Sequence, residues 1–157
     1  SGRSLLQQTV DRLTPLTGAD GVLVVTGGAH AAAVAEQLPE LPSQNLLAEP
    51  SPRDSAAAIG LAAAVAERRR PGVVVGSFAA DHVVGSVEAF SSAVLEAVAA
   101  ARAGYVVTIG IEPDRPATAF GYIETGASVD FSAIALTVAA RRSAAALFVP
   151  SPLAMSL

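Results

Sequence analysis

The sequence predicts an α/β fold, with a mostly parallel central sheet covered by helices on both faces. Three observations predict it. Uncharged valine-rich runs recur at residues 21–27, 72–78 and 105–111, the pattern of strands buried on both faces. Longer Ala-rich stretches with helical spacing lie between them. The chemically unusual residues follow the runs directly, where a parallel sheet opens its ligand crevice.

In order along the chain, SLLQQTVDRLTPL sets Leu5, Val10, Leu13 and Leu16 at helical spacing. GVLVVTG is the first strand. AHAAAVAEQL is a helix stopped by Pro39 and Pro42. QNLLAE is a short strand, and PRDSAAAIGLAAAVAERRR is the next helix. At its start Ser51 suits the cap and Pro52 the first helical position, and Asp54 completes a Ser-x-x-Asp capping box. At its end Arg68, Arg69 and Arg70 complement the helix dipole, a simpler reading than a phosphate clamp. GVVVGSF is the second valine strand. VEAFSSAVLEAVAAARAG is a helix capped by Gly104. YVVTIGI is the third valine strand. Beyond Gly126, AALFVP reads as one more strand after a helix-like stretch.

Composition narrows the function. A chain of 157 residues with 52% hydrophobic content holds one domain with a real core rather than a disordered segment. No uncharged apolar run reaches membrane-helix length, so no membrane partner is expected. Absence of cysteine excludes a disulfide framework and thiolate metal sites within these residues. Net charge of −4 and 4% aromatic residues argue against a nucleic-acid surface, which needs basic patches or stacking rings. No basic-then-apolar leader opens the sequence, so a cytoplasmic location is expected.

Glu49 stands at a strand end, with Arg53 close behind and three alanines, residues 56–58, opening the next helix. A carboxylate there can accept hydrogen bonds from the N1–H and amino group of guanine, and the helix start offers free N–H groups. A helix cap with a surface ion pair accounts for the same residues. Asp81, just past the second valine strand, suits Mg²⁺, a hard cation that favours carboxylate oxygen; it equally suits the start of a turn. His82 reads as a packing or hydrogen-bonding residue and His30 as a helix-start residue. No spacing suggests zinc, and neither a Walker lysine nor a Gly-x-Ser-x-Gly elbow is present.

Taken together, these segments resemble the mannose-1-phosphate guanylyltransferases, also called GDP-mannose pyrophosphorylases. EPSPRDSA, residues 49–56, matches that family's Glu-Pro-x-x-Arg-(Asn/Asp)-(Thr/Ser)-Ala segment. AADHVV, residues 79–84, carries its Asp-His pair after a strand. IGIEPDRPATAFGYIETG, residues 109–126, matches its Gly-Ile-x-Pro…Gly-Tyr-Ile segment, and SLLQQTVDRL is similar to its first helix. The resemblance runs from about Ser4 to Gly126.

This resemblance implies a Rossmann-like nucleotidyltransferase fold, with residues 1–157 forming a single, incomplete catalytic domain. The family's Gly-Gly-x-Gly-Thr-Arg-Leu-x-Pro loop and Pro-Lys pair are not among these residues. SVDFSAI, residues 128–134, resembles a stretch normally found farther downstream, so joins are expected near residues 85–86 and 126–128. Glu49, Arg53, Asp54, Ser55 and Ala56 are implied to bind the nucleotide. Asp81 is implied to be catalytic and to ligate Mg²⁺ or another divalent cation, and Gly121 and Tyr122 to contact the sugar. The implied reaction moves GMP from GTP to mannose 1-phosphate, giving GDP-mannose and pyrophosphate, with a homodimer as the implied assembly. Two alternatives are an inactive nucleotide-sugar-binding regulatory homologue and a sugar-1-phosphate nucleotidyltransferase using another NTP.

Overall fold

Helix α1 (Leu5–Thr17) opens the structure and leads into β1 (Val22–Gly27), the hydrophobic centre of a parallel sheet. The computed structural model describes residues 2–51, 53–118, 121–124, 126–127 and 146–150, the last as backbone. These fall into two compact units, Ser1–Val87 with Ser143–Leu157, and Glu88–Arg142.

In the first unit, β1 is followed by α2 (Ala31–Gln37), β2 (Leu46–Glu49), α3 (Asp54–Arg69), β3 (Val75–Ser77) and, from much later in the chain, β4 (Ala146–Pro150). The strand order is β2-β1-β4-β3, and every pairing is parallel. The chain steps outward from β1 to β2 and then returns across the sheet to β3. Parallel crossovers are right-handed, so these opposite steps put α2 and α3 on opposite faces. This is the two-faced α/β arrangement that the valine runs predict.

Side-chain size explains how α3 seats. Leu23 and Val25 of β1 pack on Ala58, Ala62 and Ala66 of α3, with Leu47, Ile59, Val65, Val73 and Val75 at the margin. The four-residue spacing keeps the three alanines on one helix face. Their small side chains let the helix backbone lie close to the sheet, and a larger residue there would overpack at a cost of about 1–3 kcal/mol. Strand alternation turns Val22, Val24 and Thr26 to the other layer. There α1 lies along β1 and β4, with Leu13 fully buried.

Helix α1 carries the capping box that the sequence reading placed on α3. Ser4 Oγ accepts from the Gln7 N–H at 3.2 Å, and Gln7 Oε1 accepts from the Ser4 N–H at 3.0 Å, an arrangement worth about 1 kcal/mol. Gln7 Nε2 also donates to the Gln37 carbonyl at 2.8 Å, tying α1 to the end of α2. In α3 the expected box does not form. That helix begins at Asp54, with Arg53 at the N-cap and no side-chain cap bond. Asp54 has φ +58°, which is incompatible with the helical N3 position of a box. Ser51 lies ahead of the helix, and Pro52 lies outside the described residues.

The amino ends of the strands are closed by a hydrogen-bonded clasp. Asn45, 2% exposed, donates from Nδ2 to the Asp20 carbonyl at 3.1 Å. Arg69 Nη1 donates to Asn45 Oδ1 at 2.7 Å, and its Nη2 to the Gln44 carbonyl at 2.6 Å. Nearby, the Glu67 carboxylate accepts from the Gly72 N–H at 2.9 and 3.2 Å. Gly72 has φ +74°, which favours glycine over any residue with a Cβ.

In the second unit, α4 (Val87–Arg102) ends as expected at Gly104, whose φ is +95°. The Gly104 N–H donates to the Ala101 carbonyl at 3.0 Å and the Tyr105 N–H to the Ala100 carbonyl at 3.3 Å. This nested pair is the Schellman pattern. The expected third valine strand does not form, because residues 105–111 are irregular and Val106 and Ile111 are strongly exposed. Valine content favours a strand only where a neighbouring edge accepts its backbone. The place between β1 and β3 is filled instead by β4, the later strand that AALFVP predicts. No helix among the described residues is long and apolar enough to cross a membrane.

Candidate functional site

Parallel strands deliver their carboxyl ends to one edge, so topology alone assembles a rim from the segments after β1, β2 and β3. Gly27 and Glu49 are register partners at the ends of β1 and β2. A Cβ on Gly28 would stand 3.4 Å from the Glu49 carbonyl oxygen, so the two strand ends leave the sheet close together. Glu49 is half-buried; Arg53, Asp54, Ser55 and Ala56 follow it as exposed residues at the start of α3. The strand-to-helix turn thus presents a carboxylate, a guanidinium and the free N–H groups of a 16-residue helix in one segment. The left-handed φ of Asp54 marks where the chain swings into that helix; aspartate tolerates this region better than most residues.

Asp81 follows the carboxyl end of β3, the opposite margin of the sheet, by four residues and is exposed, and the carbonyls on either side of it meet α1. Three inter-strand steps separate β2 from β3, about 14 Å at the usual spacing. Between them, Thr26 at the end of β1 is 2% exposed, and its Oγ1 has no hydrogen-bond partner among the described residues.

The donor set bears on a metal. Among the described residues no group of three His, Cys, Asp or Glu side chains could hold one. Mg²⁺ needs no such cage, since one or two carboxylates with substrate phosphates and waters suffice. A single exposed carboxylate at a rim fits that mode.

Gly121 and Tyr122 belong to the second unit. The Tyr122 hydroxyl accepts from the Ala117 N–H at 2.6 Å and lies 3.2 Å from the Ala117 carbonyl. The ring thereby closes a loop around an open concavity of about 490 Å³ lined by Pro113 to Thr118. A Cβ on Gly121 would meet nothing within 4 Å among the described residues, so no described neighbour demands glycine there.

Two residues that the sequence reading passed over support the rim from behind. Arg12 Nη2 donates to the His82 carbonyl at 3.2 Å and to Thr9 Oγ1 at 2.8 Å, and Thr9 Oγ1 donates to the Ala80 carbonyl at 3.5 Å. Burial holds the Arg12 guanidinium below its ordinary pKa. The signal was present in the sequence: Thr9 and Arg12 fall in line with Leu5, Leu13 and Leu16, two polar residues on an otherwise apolar stripe.

Comparison with known proteins gives the family. The family model described as nucleotidyl transferase matches residues 1–136. The chain is 40% identical over 127 residues to the mannose-1-phosphate guanylyltransferase of Escherichia coli (strain K12), covering 78% of this chain and 26% of that protein. It is 41% identical over 129 residues to mannose-1-phosphate guanylyltransferase ManC of Salmonella typhimurium, with the same coverage. It is 40% identical over 134 residues to the xanthan biosynthesis protein XanB of Xanthomonas campestris pv. campestris (strain B100), covering 83% of this chain and 28% of that protein. The chain spans about a quarter of the length of these relatives. No solved structure matches it.

Proposed function

The chain belongs to the nucleotidyl transferase family, and from that premise we propose that it carries the nucleotide-binding part of an enzyme that transfers GMP from GTP to mannose 1-phosphate. The observation that carries this reading is the shared rim. The segment from Glu49 to Ala56 and the acid Asp81 leave a parallel sheet at the same edge. The names of the relatives support the choice of substrates.

In this reading Glu49 accepts from the guanine edge, and the exposed first turn of α3 supplies N–H groups and the Arg53 cation to the rest of the nucleotide. Asp81 holds Mg²⁺, which when bound supplies positive charge to the phosphates and the leaving group. The small, exposed Ala56 leaves the helix backbone open to close approach. Gly121 and Tyr122 take the sugar hydroxyls.

The reaction needs no strong base. An oxygen of the sugar phosphate, already anionic, forms a bond to the α-phosphorus. The bond from that phosphorus to the bridging oxygen breaks, and pyrophosphate leaves with the electron pair. The barrier lies in bringing two anions together and in charge growing on the leaving group. Fixed donors and cations lower it, and positioning contributes up to roughly 7–11 kcal/mol.

The test is pyrophosphate release by the full chain with GTP, ATP, UTP or dTTP, each paired with mannose 1-phosphate or glucose 1-phosphate. The reading expects release with GTP and mannose 1-phosphate above every other pair. Preference for another nucleotide would overturn the base assignment. Nucleotide binding without release from any pair would favour the regulatory alternative.

A further inference from the structure

We infer that Arg12 and Thr9 are positioning residues for Asp81, a buried clip on α1 that fastens the loop after β3 and thereby sets the acid at the rim. The inference rests on the reading of Asp81 as a metal ligand.

The contacts bracket Asp81. Thr9 is 1% exposed and Arg12 7% exposed. Thr9 Oγ1 reaches the Ala80 carbonyl at 3.5 Å, and Arg12 Nη2 reaches the His82 carbonyl at 3.2 Å. These are the carbonyls of the residues immediately before and after Asp81. Arg12 Nη2 also donates to Thr9 Oγ1 at 2.8 Å, so the two side chains act as one unit spanning the acid's backbone. Asp81 itself stays exposed above them.

Burying a guanidinium costs several kcal/mol before any gain. Packing α1 against the sheet does not require that cost, because Leu13 on the same face is fully buried without it. What the cation adds is directed hydrogen bonding to a loop about 70 residues away in sequence. That loop has little regular structure of its own, since β3 ends at Ser77 and no helix begins before Val87. An acid on a short loop loses metal affinity when its support loosens, and outer-shell substitutions commonly cost 10- to 100-fold.

The test uses the full chain with Mn²⁺ as the probe ion and GTP present, free Mn²⁺ being read by electron paramagnetic resonance. Arg12→Met keeps the side-chain length without the donors, and Arg12→Lys returns a cationic donor. Arg12→Met is expected to raise the Mn²⁺ Kd about 10- to 100-fold, with metal-free GTP affinity changed less than about twofold if the base pocket is separate. Arg12→Lys is expected to recover part of the loss, and Thr9→Val to show a smaller one. With Asp81→Asn already in place, Arg12→Met should add nothing, the signature of residues acting through one another. Unchanged Mn²⁺ affinity in Arg12→Met, or an equal further loss on the Asp81→Asn background, would overturn the inference. Asp81→Asn binding Mn²⁺ as the parent does would instead sink the metal-ligand reading. Amide hydrogen exchange at residues 80–83 separates the two cases. It should quicken in Arg12→Met while β1 stays protected, and no change there would reject the clip itself.

Discussion

The two ends of the sheet are built on opposite plans. At the amino end, Asn45, Arg69 and Glu67 spend their polar groups on the protein's own backbone and on one another. At the carboxyl end, the side chains of Glu49, Arg53, Asp54, Ser55 and Asp81 hydrogen-bond to no described residue. Buried polar groups must be paired, and Asn45, the buried member of the clasp, is paired through both its amide nitrogen and its oxygen. Polar side chains that spend no hydrogen bond on described residues are available to a ligand. On the proposed reading, the contrast puts stability at one end and recognition at the other.

Substitutions at each end can break that division or sharpen it. Asp81→Asn should have the largest effect, lowering the rate of pyrophosphate release about 100- to 1,000-fold, while the urea midpoint shows a stability change within about 0.5 kcal/mol. A comparable loss of stability would show that the rim is not purely a binding edge. Glu49→Gln should reduce the preference for GTP over ATP about 10- to 100-fold, the worth of hydrogen bonds to a charged group, read as the ratio of kcat/KM values. Asn45→Ala tests the other end. It strips Arg69 and the Asp20 carbonyl of a buried partner and should cost about 1–3 kcal/mol in urea unfolding, with GTP affinity unchanged. Arg3→Ala should do least. The Arg3–Asp11 pair is bidentate at 2.7 Å but half-exposed on both sides, so its loss should cost at most about 1 kcal/mol and vanish at high salt.

Much of this arrangement is legible in the sequence, for physical reasons that differ by element. The run at residues 22–25 has no charge to place at a surface, so it reads as a central strand and is one. Glu49 and Asp81 stand out because each carboxylate falls at or shortly past the end of an apolar run, although both strands are half-buried margins of the sheet. Tyr105 to Ile111 misled because side-chain preference says nothing about whether a strand edge is available, and that place went to Ala146–Pro150. The box expected at Ser51 failed for a backbone reason, the positive φ of Asp54, that no pattern of residue types reveals. Arg12 went unnoticed because a cation on a helix is ordinarily solvated. Its place on the apolar stripe signals an inward position, and the fold adds what it meets there, carbonyls brought from far along the chain.

The two arms of the rim hang from the two outermost strands of the sheet, with β1 and β4 between them. Among the described residues, each of these strands has a hydrogen-bonded neighbour on one side alone. On the proposed reading, a change of base preference would fall on the β2 margin, three strand positions away from the β3 margin that carries the acid. In that reading, the residues that choose the nucleotide and the acid that holds the metal therefore hang from different strands of the sheet.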